Sequence, residues 1–379
     1  MEQTTMSFDR QFFAPGRINL IGEHIDYSGG HVFPCAITYG TTLWIKKRDD
    51  NVLRFFSKNF EKLGVIEVSL DDLSFNEDHD WTNYPKGVIK VLLDQGHQIS
   101  HGLDLVYEGN IPNGAGLSSS ASIEVVTGTM LNEVFDLGLD MVEIALISQK
   151  AENEYVGVNC GIMDQFAVAK GKEDHAILLN TNTLDYKYIP VVLEDASIVI
   201  MNTNKRRGLA DSQYNLRRQQ CEQALALIQT EKPVQYLCDL SVKELEELKH
   251  LIPDQEMYRR AYHAVSENER TLEAAKVLQE NNLEAFGRLM NQSHVSLRDD
   301  YEVTGIELDT LVEAAWNHPG TIGARVTGAG FGGCAIAIVE NKYLDEFISN
   351  VGDHYQEKIG YPADFYVARV GQGAHEITE

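Results

Sequence analysis

Basic residues are scarce in this chain of 379 residues: 32 Lys and Arg stand against 57 Asp and Glu, which gives a formal net charge of −25. A field of that sign repels the phosphate backbone of nucleic acids and the surface of anionic membranes. We therefore expect neither nucleic acid nor a membrane as a partner. An anionic ligand would have to be held by a local device, such as a helix N-terminus, a nest of backbone N–H groups or a divalent cation.

Cysteines are few, odd in number and without pattern. The five are Cys35, Cys160, Cys221, Cys238 and Cys334. No pair has CxxC spacing, and the histidines and cysteines together lack the spacing of a zinc site. Scattered cysteines of this kind are typical of reduced thiols in a cytoplasmic protein rather than of a disulfide framework.

Long apolar runs are missing as well. No stretch reaches the roughly 18 uninterrupted apolar residues of a membrane span, and the opening segment MEQTTMSFDRQFF has no apolar core of the signal-peptide type. The hydrophobic fraction of 43% is ordinary for a globular protein. These features predict a cytoplasmic enzyme, and nothing in the sequence points to an obligate protein partner.

Short strand-like runs alternate with glycine-rich turns in the first half, and helical periodicity dominates much of the second. We predict strands at 31–47, 53–58 and 102–111, and in the segments HAILLNT, SIVIMNT, ARVTGAG, CAIAIVE and ADFYVARV. We predict helices at 83–96, 121–135 and 141–155, and over much of 211–318. Strands and helices interleave without a regular βαβ rhythm, which indicates an α+β fold of two domains with a cleft between them. We place these domains at 1–175 and 176–379.

The first segment with chemical potential is APGRINLIGEHIDYSGG, residues 14–30. It contains Arg17, Glu23, His24 and Asp26 within ten positions, between glycine-rich ends. Carboxylates accept hydrogen bonds from sugar hydroxyls and imidazole can donate or accept, so this density suits a polyhydroxylated ligand. A solvated surface loop would explain the same charges.

The second segment is NIPNGAGLSSSASIEVV, residues 110–126, in which a glycine-rich loop leads into an apolar-periodic helix. Such a loop presents unpaired N–H groups and the positive end of the helix dipole to a phosphate. A serine hydroxyl there can also bind Mg²⁺, which prefers oxygen ligands. The segment is not a Walker A loop, because it has no GxxxxGK[ST] and no lysine. The alternative is an ordinary helix capped by a serine.

The third segment, 151–171, contains two acidic residues, Glu152 near the end of a predicted helix and Asp164 among apolar neighbours. A carboxylate in apolar surroundings is either costly or functional. Held close to a hydroxyl, it could orient that hydroxyl and take its proton. The alternative for Asp164 is a helix N-cap.

The fourth segment, RVTGAGFGGCAIAIVE at 325–340, matches GxGxxG literally. A strand-like run follows it, whereas a dinucleotide fingerprint requires a helix there, so we reject a Rossmann site. A glycine loop between two strands still permits close backbone approach to a ligand or to another loop.

Two aromatic residues, Trp81 and Tyr84, lie in the segment DWTNYPKG. They are candidates for lining a pocket for a flat aromatic base. The sequence alone favours the alternative that they are core or surface aromatics.

Three glycine- and serine-rich segments in this order resemble the three motifs of the GHMP small-molecule kinases. GRINLIGEHIDYSGG is similar to the sugar-binding signature of the galactokinases within that family, and CGIMDQ is similar to another of their motifs. The resemblance implies a GHMP kinase fold with the active site in the cleft. It also implies ATP-dependent phosphorylation of galactose at its C1 hydroxyl, with ATP and Mg²⁺ as co-substrate and cofactor. A kinase for another sugar, or a galactose-binding regulator without turnover, remains an alternative.

The resemblance also implies roles for individual residues. Arg17 and Asp164 would act at the C1 hydroxyl. The residues that would hold the sugar are Glu23, His24, Asp26, Gly161 and Tyr214. The phosphate loop would comprise Gly114, Ala115, Gly116, Leu117, Ser118, Ser119 and Ser120. Ser120 and Glu152 would bind Mg²⁺, and Trp81 would contact adenine.

Overall fold

Three β-sheets and ten α-helices make up the part of the chain that the computed structural model describes, residues 7–112, 115–205 and 210–378. The strands are β1 (Arg10–Asn19), β2 (His31–Val32), β3 (Pro34–Lys47), β4 (Val52–Ser57), β5 (Ile66–Ser69), β6 (Leu103–Gly109), β7 (His175–Asn180), β8 (Tyr186–Pro190), β9 (Ala196–Asn202), β10 (Thr321–Thr327), β11 (Cys334–Glu340), β12 (Asp364–Ala368) and β13 (His375–Glu376). The helices are α1 (Asn83–Asp94), α2 (Ser119–Phe135), α3 (Met141–Lys150), α4 (Met163–Lys170), α5 (Ala210–Ile228), α6 (Val242–Glu247), α7 (Gln255–Gln279), α8 (Leu283–Asp299), α9 (Ile306–Trp316) and α10 (Leu344–Ile359).

The largest sheet has the strand order β13-β1-β3-β6-β4-β5. Its neighbouring strands β1 and β3 are antiparallel, with a bulge between Pro15 and Arg17. A Cβ at Gly16 would lie 2.6 Å from the carbonyl oxygen of Leu117, so only glycine lets the segment before α2 approach the strand this closely. The first motif was expected to be turn-rich, but it is strand as far as Asn19, and that strand delivers Arg17 to the site.

A second, wholly antiparallel sheet has the order β10-β11-β9-β12. Its two central strands, β9 and β11, are buried along almost their whole length, as their apolar sequences require. The glycine segment that joins β10 to β11 is a loop between two antiparallel strands. The rejection of a dinucleotide-binding site at this segment is therefore confirmed.

A third, small sheet, β2-β7-β8, joins residues 175–190 to the first motif. The end of the chain returns to the first sheet, where β13 pairs with β1 and the carboxylate of Glu376 accepts two hydrogen bonds of 2.6 Å from Arg10. The expected mixture of helices and sheets is confirmed, and the helix-rich stretch contains α5 to α9. The domain division near residue 175 stays a prediction. Among the described residues, no helix is both long enough and apolar enough to span a membrane.

Candidate active site

A carboxylate that accepts three hydrogen bonds lies at the centre of the candidate site. Nε and one terminal nitrogen of Arg17 each donate to Asp164 at 2.9 Å, and the hydroxyl of Ser118 donates to it at 2.6 Å. Arg17 comes from the end of β1 and is 4% exposed, whereas Asp164 keeps 31% of its side chain accessible. Asp164 lies inside the first turn of α4 and Ile162 is the N-cap, so the N-cap alternative for Asp164 is wrong. The residue that could take a proton is thus fixed in place but open to a ligand.

The segment before α2 leaves the start of that helix uncapped. Ser118 occupies the N-cap position with a left-handed φ of 65°, and its side chain makes no capping hydrogen bond, because its hydroxyl donates to Asp164 instead. The alternative of an ordinary serine cap is therefore wrong. The backbone N–H groups of the first turn, together with the helix dipole, remain available to an anion. Gly114, which the resemblance assigns to the phosphate loop, lies outside the described residues.

A cavity of about 290 Å³ opens beside this ion pair. Eight residues expected at the site line it: Arg17, Glu23, His24, Asp26, Glu152, Gly161, Asp164 and Tyr214. They come from the first motif, from the third and from α5, so distant parts of the sequence meet in one cleft. Polar side chains line the cavity, and its volume is suited to one monosaccharide, so it fits a small hydroxylated ligand.

Glu23 is held by groups that come from two ends of the chain. Its Oε1 accepts the backbone N–H of Gly328 at 2.6 Å and lies 3.4 Å from the guanidinium of Arg325. Its Oε2 accepts the amide of Asn19 at 3.0 Å. Burial raises the pKa of Glu23, and the charges of Arg325 and Arg17 oppose that rise. The carboxylate is therefore oriented before any ligand arrives.

Asp26 and Gly161 are matched to each other in space. A Cβ at position 161 would lie 1.9 Å from Oδ2 of Asp26, so no residue other than glycine fits. Burial, together with the negative charges of Asp164 and Glu23, raises the pKa of Asp26 to about 6. The carboxylates of Asp26, Asp164 and Glu23 therefore lie close enough together to repel one another.

His24 uses both ring nitrogens within the protein. Nε2 donates to the carbonyl of Ala329 at 2.9 Å and Nδ1 lies 2.7 Å from the hydroxyl of Tyr27. Burial lowers the pKa of His24 to about 4, so the ring is neutral at pH 7. Tyr214 packs against it with ring centroids 5.3 Å apart. The ring therefore joins the first motif to the loop between β10 and β11.

Glu152 and Ser120 provide oxygen atoms between the ion pair and the open helix start. Glu152 lies in a single turn of π-helix, Ala151–Val156, that follows α3, and its Oε2 accepts the amide of Gln165 at 2.6 Å. Burial and the charge of Asp164 raise the pKa of Glu152 to about 7, and a hydrogen bond with Ser120 partly opposes this rise. A cation would relieve this repulsion between Glu152 and Asp164.

The donor set fits Mg²⁺ carried by a nucleotide. Carboxylate and hydroxyl oxygens are hard ligands, and Mg²⁺ usually takes one or two of them from the protein and the rest from phosphates and water. Within the described residues, no group of three or more His, Cys, Asp or Glu side chains could hold a metal by itself. Ser120 and Glu152 are therefore suited to a metal that arrives with further ligands of its own.

A second cavity of about 170 Å³ adjoins the start of α2. Trp81, Tyr84, Ser119 and Ser120 are part of its lining. Trp81 is 6% exposed and packs edge-on against Tyr107 with ring centroids 5.3 Å apart. The two interpretations of Trp81 are therefore compatible, because it belongs to the core and also forms a wall of this cavity.

Comparison with known proteins identifies the family. The model of the GHMP kinases N terminal domain matches residues 83–172, that of the GHMP kinases C terminal domain matches 274–357, and the galactokinase galactose-binding signature matches 5–47. The chain is 59% identical to a galactokinase of Clostridium perfringens and 57% identical to one of Fusobacterium nucleatum, in each case over 97% of this chain and 95% of the relative. The chain belongs to the galactokinase family.

Solved structures agree with that membership in the galactokinase family. The galactokinase of Lactococcus lactis, crystallised with galactose, superposes with a TM-score of 0.95 at 49% identity, over 97% of this chain and 95% of that one. The mevalonate kinase of Methanococcus jannaschii superposes with a TM-score of 0.69 at 20% identity, which shows a shared fold. The GHMP kinase fold expected from the sequence is thus confirmed.

Four further residues of this galactokinase-family site were not identified from the sequence. Asn159 and Asn215 line the larger cavity, and Arg325 and Asn19 orient Glu23. Asn159, Asn215 and Arg325 reach the site through tertiary packing, whereas Asn19 lies within the first motif, four positions before Glu23. Ala329 lies in the fourth motif, where close backbone approach was expected, and its carbonyl now has a partner in His24.

Replacing Asp26 by Asn should stabilise the ligand-free protein above pH 6. Because burial raises the pKa of Asp26 from 3.8 to about 6, its ionisation costs folding free energy as the pH rises through that value. After allowance for its partial exposure, we expect a gain of about 1–2 kcal/mol at pH 8 that shrinks below pH 6. Thermal unfolding at several pH values measures it. Asp353→Asn, at an exposed position of α10, is the control. An equal gain at pH 5 and pH 8 would contradict this explanation.

Proposed function

We propose that this protein transfers the γ-phosphoryl group of ATP to the C1 hydroxyl of galactose, giving galactose 1-phosphate and ADP. Family membership supports the kinase activity, and the Lactococcus lactis galactokinase with bound galactose supports the sugar. The observation that carries the proposal is the ion pair of Arg17 and Asp164, between a polar cavity and the uncapped start of α2. These are the parts that transfer between a sugar and a nucleotide requires.

Asp164 is the residue we assign to the proton of the sugar. Its accessible carboxylate accepts a hydrogen bond from the C1 hydroxyl and takes the proton as the oxygen–phosphorus bond forms and ADP leaves. Arg17 donates to both carboxylate oxygens and so fixes the orientation of Asp164 beside the cavity. Its positive charge also offsets the negative charge that develops on the transferred group.

We assign the remaining cavity residues to the sugar. Glu23, His24 and Asp26 face the outer hydroxyls, the backbone of Gly161 lies beside Asp26, and Tyr214 packs beside His24 in the lining. Their orientation by protein hydrogen bonds before binding reduces the entropy that binding costs.

ATP is assigned to the start of α2 and the cavity beside it. Backbone N–H groups of Gly116 to Ser120 bind the phosphates, since the N–H of Ala115 already donates to the carbonyl of Pro112, and Trp81 contacts the adenine ring. Ser120 and Glu152 hold Mg²⁺, which when bound neutralises charge on the phosphates. Main-chain N–H groups thus supply the positive potential that the phosphates need, which fits a protein whose net charge is −25. We further assign the chain to the cytoplasm, where ATP is available, and its domains to 1–175 and 176–379.

ADP release measured with a panel of sugars tests the proposed function. We expect turnover with galactose and much less with N-acetylgalactosamine or arabinose, because the cavity of about 290 Å³ is lined closely by oriented polar groups. Turnover with another sugar alone would assign the protein a different substrate. Binding of galactose without ADP release would indicate a regulator rather than an enzyme.

Asp164→Asn should keep galactose binding and lose turnover. The amide still accepts a hydrogen bond but no longer takes a proton, so we expect kcat to fall by about 10²- to 10⁴-fold. Calorimetric titration with galactose and a thermal unfolding curve show whether the variant is folded and binds sugar, and Asp353→Asn is the matched control. A kcat close to that of the unchanged protein would rule out the proton-accepting role.

Ser120→Ala should weaken the use of Mg·ATP and spare the sugar. Loss of one oxygen ligand predicts a rise of about tenfold in the KM for Mg·ATP and in the Mg²⁺ concentration needed for half-maximal rate. Ser119→Ala is the matched control, because it removes a neighbouring hydroxyl and keeps the backbone N–H. A large loss of galactose affinity in Ser120→Ala, with normal Mg²⁺ dependence, would contradict this assignment, because Ser120 would then act on the sugar and not on Mg·ATP.

A further inference from the structure

Behind the sugar cavity, a continuous line of hydrogen bonds joins four side chains: three are buried, His24, Tyr301 and Cys221, and Tyr27 is half-buried. Nδ1 of His24 lies 2.7 Å from the hydroxyl of Tyr27, which lies 2.8 Å from the hydroxyl of Tyr301. The hydroxyl of Tyr301 lies 3.2 Å from Sγ of Cys221. Only His24 of these four lines the cavity. The other three have no role in the mechanism above.

The carbonyl of Ala329 sets the direction of every bond in this line. A carbonyl oxygen only accepts, so Nε2 of His24 carries the proton of the neutral ring and donates to it. Nδ1 is then an acceptor, and the single hydroxyl proton of Tyr27 must point to it. Tyr27 therefore accepts from Tyr301, and Tyr301 accepts from the thiol of Cys221.

The line connects three separate parts of the fold. His24 and Tyr27 follow β1, Cys221 lies on α5, and Tyr301 follows the end of α8. Tyr301 is 0% exposed and Cys221 is 2% exposed, so water does not replace a lost partner in this region. Tyr301 also packs on His24 with ring centroids 5.0 Å apart. His24 itself has a left-handed φ of 61°, a conformation that its surroundings must maintain.

We propose that Tyr27 and Tyr301 are positioning residues of the sugar site, which hold the His24 ring with Nε2 as the donor at the cavity wall. The proposal rests on the proposed function for the identity of the ligand. On binding, a sugar oxygen takes the place of the Ala329 carbonyl as the acceptor for Nε2, while Nδ1 keeps its bond to Tyr27. The Ala329 carbonyl selects this tautomer in the ligand-free site, and the two tyrosines keep it when the sugar binds, so that this wall offers the sugar a hydrogen-bond donor rather than an acceptor.

Replacing Tyr27 by Phe tests this role by kinetics. The change leaves Nδ1 buried without a donor, and we expect the KM for galactose to rise by about tenfold while the KM for ATP stays unchanged. Tyr301→Phe should give a smaller rise, because Tyr27 keeps its own proton for His24. Tyr355→Phe is the matched control: it removes a buried hydroxyl that donates to the carbonyl of Thr203 at 2.6 Å, away from the cavity. A galactose KM that changes equally in Tyr355→Phe, or in none of the variants, would overturn the proposal.

Histidine tautomers provide a readout that does not depend on activity. Long-range ¹H–¹⁵N correlation spectra of the full chain labelled at histidine should show His24 as a neutral ring protonated at Nε2, assigned by the signals absent from His24→Gln. Tyr27→Phe should mix the two tautomers, and Tyr355→Phe should not. An Nδ1-protonated ring in the unchanged protein would overturn the proposal even if the variants fail to fold. Absence of galactose phosphorylation would defeat the proposed function but leave this measurement valid.

Discussion

The contact of Asp164 with Arg17 and Ser118 is the interaction on which the rest of the site depends. It joins the end of β1, the first turn of α4 and the residue before α2 through three hydrogen bonds to one carboxylate. Arg17 also holds the segment before α2 by donating to the carbonyl of Gly116 at 2.9 Å. Because the Ser118 hydroxyl is used here, α2 begins without a cap and its N–H groups stay free. One contact therefore creates both the candidate proton acceptor and the candidate anion site.

This arrangement lowers the stability of the ligand-free protein, and bound ligands would offset that loss. Ser118 and His24 both have left-handed φ values, 65° and 61°, which are unfavourable for residues with a side chain. Burial and mutual repulsion raise the pKa of Asp26 to about 6 and that of Glu152 to about 7. Both shifts mean that ionisation opposes folding as the pH rises through these values. A ligand that donates hydrogen bonds, or a cation, stabilises the folded state by favouring the ionised groups.

The local patterns of the sequence predicted most elements and six of the eight expected cavity residues, and the family resemblance alone pointed to Gly161 and Tyr214. Neither predicted how the side chains are connected. Helices α1 and α2 begin within two residues of the predicted starts, since apolar periodicity is a property of neighbouring residues. Whether Ser118 caps its helix depends on Asp164, 46 positions away, so no local rule decides it. Arg325 and Tyr301 were missed for the same reason: each acts on the first motif from about 300 positions further along the chain, through tertiary packing alone. The residue roles that the resemblance implied stay predictions.

The fourth motif shows why a chain so poor in basic residues can still build this site. Gly328 and Gly330 have φ values of 79° and 78°, so the loop turns its own backbone toward the first motif. The N–H of Gly328 then holds Glu23 and the carbonyl of Ala329 holds His24, tasks that side chains perform in many other sites. The uncapped start of α2 offers main-chain N–H groups in the same way. Among the described residues that line the two cavities, Arg17 is the only cationic side chain. Main-chain N–H and C=O groups therefore act here in place of lysine and arginine side chains. Because they carry no net charge, the protein keeps the negative net charge that repels other polyanions.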